Sequence, residues 1–255
     1  MRINLKFNSF RFIFYASFCL YTFFLAFIFK SFGHQISNSK KILDLGPRVQ
    51  LQSYWTGKSE INQSIPVLIL AGHADSQNLQ GAGTSGAAVD LDGLIPMDQE
   101  ISDELYWNLK ISQAIVRLGK EQGLTIDFYD PLDRDIADAN NPNTNWSVGA
   151  LHASQGGYAL EIHFDSYGEY GIGSGLIPAL TNNLNSIDES LANSFGRYPI
   201  LFRGGLGAPR RGIRILEIGK LEGNLERSLR NPIYRDSTIK AIAEKVVQAF
   251  LDARL

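Results

Sequence analysis

The chain has 255 residues, of which 44% are hydrophobic, enough for one domain with a substantial core and a shorter additional segment. Its formal net charge is −2 at pH 7, and basic residues form no cluster along it. Because proteins bind the nucleic-acid backbone largely through such clusters, the composition argues against a nucleic-acid partner.

The first thirty residues have the pattern of a membrane segment. Three basic residues precede an uncharged, mostly apolar run from Phe12 to Phe29, and Lys30 follows it. As a helix, these 18 residues would extend about 27 Å, close to the thickness of the hydrocarbon core of a bilayer. No small-residue cleavage site follows the run. We therefore expect residues 1–30 to form an uncleaved signal-anchor helix rather than a signal peptide that is removed.

The charges around this run also predict its orientation. Positive charge is denser before the run than after it, which favours a cytoplasmic N terminus and export of the remaining chain. We expect a single-pass protein of the inner membrane with its folded domain in the periplasm or cell envelope. The single cysteine, Cys19, lies inside the run, so the exported part has no disulfide. Residues 31–62 are polar and weakly patterned, and we interpret them as a linker.

After this linker, short β-branched apolar runs alternate with longer amphipathic segments. The alternation predicts one α/β domain over residues 63–255, with a mostly parallel, twisted sheet and helices on both faces. The predicted strands are Val67–Leu70, Leu124–Tyr129, Tyr158–Phe164 and Ile213–Ile218, and the predicted helices are Asp98–Leu118, Trp146–Gln155 and Ser237–Arg254. Two long stretches rich in Gly, Asn and Ser, 75–97 and 168–212, are predicted to be loops that wall a site.

Three polar side chains stand at or near the ends of predicted strands: His73, His163 and Glu217. Because the carboxyl ends of parallel strands meet at one edge of a sheet, we expect them to lie together. Glu104 lies on the apolar side of a predicted helix, where a carboxylate is unfavourable unless it is paired or bound to a cation. Two histidines and a carboxylate are a common ligand set for catalytic zinc, which activates a water molecule. Glu217 would then act as general base and acid.

The histidines also have simpler interpretations. His73 resembles a polar loop residue, and His163 a hydrogen-bonded strand residue. His152 competes with His163 for the role of second imidazole ligand. It lies near the end of a predicted helix, where histidines more often contact terminal carbonyl groups, so we favour His163.

The carboxylates have alternatives as well. Glu217 is equally consistent with a salt bridge to a neighbouring arginine. Glu100, one helical turn before Glu104, could replace it as the carboxylate ligand. Glu161 lies on the same strand face as His163 and is a candidate hydrogen-bond partner of that histidine, or a member of an ordinary salt bridge.

Two glycine-rich strings do not fit the sites that their letters suggest. GAGTSG at Gly81–Gly86 matches a dinucleotide-binding pattern, but it begins about ten residues after its strand. GIGSG at Gly171–Gly175 lacks the serine position of a nucleophile elbow. Neither string therefore supports a Rossmann-type or a serine-hydrolase site.

Four motifs follow one another along the predicted domain: VLILAGHAD with the GAGTSG loop, the helix segment Glu104-Leu-Tyr-Trp-Asn108-Leu109, the strand end EIHFD, and ILEIGKLEGN. In order and spacing they resemble the motifs of the zinc-dependent N-acetylmuramoyl-L-alanine amidases of the type-3 amidase family. The strand end EIHFD is similar to the Ser-Ile-His-Ala-Asn of the family. The resemblance covers most of the chain from Ile65 to Leu255.

The resemblance implies a zinc exopeptidase-like α/β fold and a peptidoglycan substrate. It implies zinc on His73, Glu104 and His163, and Glu217 as the catalytic carboxylate. The reaction would be hydrolysis of the amide bond between N-acetylmuramic acid and L-alanine. The candidates for substrate contacts are Arg210, Arg211 and Asn224, the last of which ends the fourth motif; an arginine could hold a carboxylate of the stem peptide.

Two other functions remain open from the sequence. One is a zinc carboxypeptidase or related exopeptidase with a similar sheet and the same ligands. The other is a membrane-anchored, non-catalytic protein that binds the cell wall. Assays on muropeptides and on plain peptides with free termini separate the two enzymes, and metal-dependent stability separates either enzyme from a binding protein.

Overall fold

A computed structural model of the chain describes residues 43–49, 55–62 and 64–254. The predicted signal-anchor helix, 1–30, lies outside the described residues. No helix within the described ranges combines the length and the hydropathy needed to cross a bilayer. The described residues belong to one compact unit, Leu43–Leu255.

In the described ranges, five strands and seven helices form this unit, together with two short 3₁₀ helices. The strands are β1 Val67–Ala71, β2 Ile126–Tyr129, β3 Tyr158–Asp165, β4 Gly175–Ile177 and β5 Arg214–Lys220. The helices are α1 Ala87–Asp90, α2 Asp103–Glu121, α3 Asn145–Ser154, α4 Ser186–Phe195, α5 Gly207–Arg210, α6 Gly223–Arg230 and α7 Arg235–Asp252. The 3₁₀ helices are Gly168–Tyr170 and Ile200–Gly204.

The sheet has the strand order β2-β1-β3-β5-β4. The first four strands of this order are parallel, and β4 pairs antiparallel with β5. This confirms the predicted mostly parallel sheet. The carboxyl ends of β1, β3 and β5 therefore lie side by side at one edge, with His163 directly opposite Glu217 in the register of β3 and β5.

Helices cover both faces of the sheet, as the sequence predicts. On one face, apolar residues of α2, α4 and α7 pack against alternate residues of the strands, such as Ile69 and Leu160. On the other face, Trp146 of α3 and Ala208 of α5 pack around Ala159 and its neighbours. Central strands that are buried on both faces explain why the apolar runs are nearly continuous.

Within the stretch 168–212, which is predicted to be a loop, the structure contains β4 and α4. With three residues, β4 is too short to show an alternating pattern. Helix α4 does have a sequence signal: Asn185 and Asp188 form a capping box, and an apolar stripe at four-residue spacing follows from Ile187 to Phe195. The prediction of a loop was therefore wrong for this helix.

Residues 31–62 are interpreted as a linker, but the described parts of that stretch pack against the domain. The backbone N–H of Val49 donates to the carbonyl oxygen of Ser174 at 2.8 Å. Trp55 is 3% exposed, and its indole N–H donates to the carbonyl oxygen of Tyr198 at 2.8 Å. The apolar residues of this segment are too isolated to produce a periodic pattern, so their burial depends on contacts distant in sequence.

We expect Trp55→Ala to lower the free energy of unfolding by about 3–5 kcal/mol, because it removes a buried aromatic ring and its hydrogen bond. Urea unfolding measures this change. The control is Leu132→Ala, since Leu132 is fully exposed and its loss should change stability by less than about 0.5 kcal/mol. Equal stabilities of the two variants would show that this segment is only a tether.

Glu226 of α6 gives the fold a pH dependence. It is 2% exposed, and its carboxylate oxygens accept from the backbone N–H of Ala88 at 3.0 and 3.1 Å. Burial raises the pKa of Glu226 to about 7, although the Ala88 N–H and Arg230 oppose this shift. An unfolded glutamate has a pKa of about 4.3. The folded chain therefore retains this proton up to a higher pH, and stability falls as the pH rises from about 4 to about 7.

We expect Glu226→Gln to reduce the loss of stability between pH 5 and pH 7.5 by roughly 2 kcal/mol. Glutamine keeps the acceptor oxygen but does not ionise. Urea unfolding of both proteins at the two pH values, in the presence of a chelator, measures the difference. Glu121→Gln, at the exposed end of α2, controls for the loss of one charge; an equal effect there would contradict the role of Glu226.

Candidate metal centre

The structure brings the three predicted metal-ligating residues together at the carboxyl edge of the sheet. One ligand atom from each of His73, Glu104 and His163 lies within 4.8 Å of the others. The Oε1 atom of Glu104 is 3.6 Å from Nε2 of His73 and 3.3 Å from Nδ1 of His163. The three potential metal-ligand atoms therefore face one small volume.

His73 lies immediately after β1, in a strained backbone conformation. Its φ is 62°, the single positive value for a non-glycine residue in the described ranges. Strain of this kind typically costs about 1–3 kcal/mol and concentrates at functional sites. The preceding Gly72 is required by space, because a Cβ there would lie 2.3 Å from the ring of His163. The turn thus brings the ring of His163 against the backbone of Gly72, with its centroid 4.8 Å from that of the His73 ring.

Glu104 lies in the first turn of α2, which starts after the N-cap residue Ser102. It is 3% exposed, so its orientation depends on backbone donors. Its Oε2 accepts from the N–H of Thr84 at 2.9 Å, and its Oε1 from the N–H of Phe164 at 3.2 Å. The GAGTSG loop therefore helps to orient the carboxylate, a role that its sequence does not indicate.

Charges in the cluster depend on one another. Burial favours the neutral form of Glu104, but His73 and His163 outweigh it and lower the pKa of the carboxyl. Burial alone would lower the pKa of His163, but hydrogen bonds with Glu104 and Glu161 raise it well above its ordinary value. Burial lowers the pKa of His73. The cluster therefore holds an ionised carboxylate that attracts a cation, either a proton on His163 or a metal ion.

Glu217 lies on β5 beside this cluster. Its Oε2 is buried and has no hydrogen-bond partner in the described part of the chain. Burial raises the pKa of Glu217 to about 8, and the nearby carboxylates of Asp165, Glu104 and Glu161 add to the rise. A carboxyl group with such a pKa can both hold and release a proton near neutral pH.

A cavity of about 270 Å³ opens from the cluster. Its lining includes the ionisable residues His73, Asp75, Glu161, His163 and Glu217. It also includes the apolar residues Leu79, Ile136, Trp146, Leu206 and Ile215. Both stretches predicted to wall the site contribute residues. Asp75 and Trp146 are not among the site residues predicted from the sequence. Asp75 stands only two residues after His73, and this spacing is the signal that could have indicated it.

The alternative ligands lie elsewhere. Nε2 of His152 is 3.0 Å from the carbonyl oxygen of Pro66, which precedes β1 and so lies at the opposite edge of the sheet. Glu100 is exposed in the turn before α2. The structure therefore places His163 and Glu104, and not these alternatives, beside His73.

The three candidates for substrate contacts occupy different places. Arg211 lies over the ring of Trp146, 4.5 Å from its centroid, and so adjoins the cavity wall. Arg210 donates to the carbonyl oxygen of Gly204 at 2.8 Å. Asn224 donates to Asp44 at 2.9 Å and lines a separate small cavity. Of the three, Arg211 is the one placed against a residue of the main cavity.

No protein-family model and no curated protein matches the chain. Among solved structures, the catalytic domain of the CD27L endolysin targeting Clostridia difficile is 15% identical, with a TM-score of 0.45 over 75% of this chain and 99% of that one. The catalytic domain of CwlV, an N-acetylmuramoyl-L-alanine amidase from Bacillus (Paenibacillus) polymyxa var. colistinus, is 14% identical, with a TM-score of 0.46 over 74% and 99%. The N-acetylmuramyl-L-alanine amidase Ami1 from Mycobacterium smegmatis is 14% identical, with a TM-score of 0.46 over 75% and 100%. The assignment of a function to this chain therefore has to be argued from its own site residues.

Proposed function

We propose that the chain is a zinc-dependent amidase that hydrolyses the amide bond between N-acetylmuramic acid and L-alanine in peptidoglycan. The observation that carries the proposal is the convergence of His73, Glu104 and His163 on one volume, with Glu217 in the lining of the adjoining cavity. The four sequence motifs that resemble those of type-3 amidases support the choice of substrate.

The donor set fits zinc. Two imidazole nitrogens and one carboxylate oxygen are a frequent ligand set in catalytic zinc sites, which keep a further position open. Nε2 of His73, the carboxylate of Glu104 and Nδ1 of His163 would hold the ion. Glu217 is paired with His163 in the register of β3 and β5 and lines the cavity, but it is not among the three residues whose ligand atoms converge. Its Oε2 is buried without a hydrogen-bond partner in the described part of the chain. This arrangement suits a carboxylate that works beside the metal.

A bound zinc ion would lower the pKa of a water molecule towards about 7 and polarise the carbonyl group under attack. Glu217 would accept the proton that the attacking water releases. It would then donate this proton to the nitrogen of L-alanine as the C–N bond breaks, which leaves a free amine and a carboxylate on the lactyl group. One carboxylate can serve both steps, because the proton that it accepts from the water is the proton that it then donates to the amine.

The cavity is lined by both ionisable and apolar residues, which suits a ligand that is part sugar and part peptide. Trp146 and Leu206 supply apolar surface against which a ring or methyl group can pack. The guanidinium of Arg211 lies over the ring of the lining residue Trp146 and is the candidate to bind a carboxylate of the stem peptide.

The test is the release of peptide from purified sacculi by the zinc-loaded protein. We expect new lactyl carboxyl groups and new N-terminal L-alanine in equal amounts, and loss of both products after chelation. Plain peptides with free termini are the control substrate. Cleavage of these peptides alone would indicate an exopeptidase, and no cleavage of either substrate would support a non-catalytic cell-wall-binding protein.

The proposed substrate requires the domain to face the cell wall. We propose that residues 1–30 anchor the chain in the inner membrane with the N terminus inside. The basic residues before the run from Phe12 to Phe29 support this orientation. Protease added to spheroplasts should digest the domain, whereas protection until the membrane is broken would contradict the proposal.

A further inference from the structure

Glu161 is a buried carboxylate next to the metal centre to which the proposed mechanism gives no role. It precedes His163 by two residues on β3, so both side chains point to the same face of the sheet. Its side chain is 4% exposed, and Oε2 lies 3.4 Å from Nε2 of His163. For this carboxylate, His163 is the one hydrogen-bond partner within the described ranges.

The two nitrogens of the His163 ring face two different carboxylates. Nδ1 is 3.3 Å from Oε1 of Glu104, on the side where the ligand atoms of the cluster converge. Nε2 faces Glu161 on the other side of the ring. A neutral imidazole has one nitrogen with a lone pair and one N–H group. If Nδ1 binds a metal ion, the N–H must be on Nε2, where Glu161 can accept it.

We propose that Glu161 is a positioning residue that fixes the tautomer and the ring orientation of His163, so that Nδ1 is presented to the metal ion. This inference rests on the proposed function, since it assumes that His163 is a ligand. Carboxylates that accept the free N–H of a metal-bound histidine orient the ring and increase its basicity, and their loss typically lowers metal affinity by about 10–100-fold.

A general electrostatic effect of the acidic cavity is the competing explanation, and Asp75 distinguishes the two. Asp75 lines the same cavity, but its Oδ2 accepts from the backbone N–H of Asn145 at 2.7 Å instead of contacting a histidine. Asp75→Asn removes one negative charge near the centre and keeps an acceptor for Asn145. It therefore matches the charge change at Glu161 without altering the ring of His163.

Zinc affinity of the full-length chain in detergent, measured by competition with a chelator, is the first readout. We expect Glu161→Ala to weaken zinc binding by about 10–100-fold. Glu161→Gln keeps an acceptor oxygen and should recover most of this loss, and Asp75→Asn should change the affinity by less than about threefold. Equal losses for Glu161→Ala, Glu161→Gln and Asp75→Asn would overturn the proposal, because charge alone would then explain the effect.

The tautomer of His163 is the second readout. In ¹⁵N-histidine-labelled, zinc-loaded protein, long-range ¹H–¹⁵N spectra should show His163 with a protonated Nε2 and a metal-bound Nδ1. In Glu161→Ala, the Nε2–H proton should exchange with water much faster. A metal-bound Nε2 in the unsubstituted protein would overturn the inference even if its affinity changed as expected.

These outcomes separate this inference from the proposed function. A chain that binds zinc and cleaves sacculi, but binds zinc equally well after Glu161→Ala, would refute the role of Glu161 and leave the amidase proposal standing. If all variants bind zinc with the expected affinities but the unsubstituted protein does not cleave sacculi, the amidase proposal alone would be refuted. A chain that binds no zinc would refute both.

Discussion

Glu217→Gln should retain bound zinc and lose amidase activity by a factor of about 10²–10⁴. Glutamine has nearly the same shape as glutamate, but it cannot take a proton from water or deliver one to the leaving amine. Because Glu217 is outside the group of three converging ligand atoms, zinc affinity should change far less than activity. Peptide release from sacculi and zinc content, measured on the same preparation, test both parts of this expectation.

Glu222→Gln is the matched control for this variant. Glu222 follows Glu217 by five residues, and its carboxylate pairs with Lys220 at 2.7 Å and accepts from the N–H of Gly168 at 2.7 Å. Glu222→Gln makes the same chemical change as Glu217→Gln, but outside the main cavity, so the amidase activity should be nearly unchanged. Comparable losses in both variants, or full activity of Glu217→Gln, would show that Glu217 is not the proton carrier.

The position of the candidate metal centre can be predicted from the sequence because two of its residues lie at or near the ends of strands. His73 and His163 each lie near the end of an apolar run, and parallel pairing makes such ends neighbours. From the sequence, His163 is favoured over His152 because His152 lies near the end of a predicted helix, and the structure separates the two along the sheet. His152 precedes the start of β3 at Tyr158, whereas His163 is five residues into the strand, about 16 Å further along the sheet.

What the sequence could not predict depends on contacts between distant segments. The hydrogen bonds that orient Glu104 come from Thr84 and Phe164, which are 20 and 60 residues away. No local pattern contains that information. The strained φ of His73 and the close approach of Gly72 to the His163 ring are likewise consequences of packing.

The N-terminal boundary of the domain shows the same limit. Trp55 lies in a polar stretch without periodicity, yet its indole N–H is bonded to Tyr198, 143 residues further along the chain. A single buried residue cannot produce a pattern of its own. For this reason, a fragment for biochemical work should begin at residue 43 and not at the predicted boundary of residue 63.

His163→Ala should abolish zinc binding and, with it, amidase activity. It removes one of three proposed ligands together with the imidazole against which Glu104 is placed. A metal ion that binds only the folded state stabilises it by about 2.7 kcal/mol when the free metal concentration is a hundred times Kd. The unsubstituted protein should therefore gain thermal stability on addition of zinc, and His163→Ala should gain none.

The comparison must be made within each variant, since the loss of His163 also changes the metal-free protein by leaving Glu104 with fewer partners. The matched control is His152→Ala, which removes an imidazole at the opposite edge of the sheet. This variant should keep zinc, activity and the full zinc-dependent rise in melting temperature. If instead His152→Ala lost zinc and His163→Ala kept it, His152 would be the ligand in place of His163. The three converging side chains at the strand ends would then not form the metal centre.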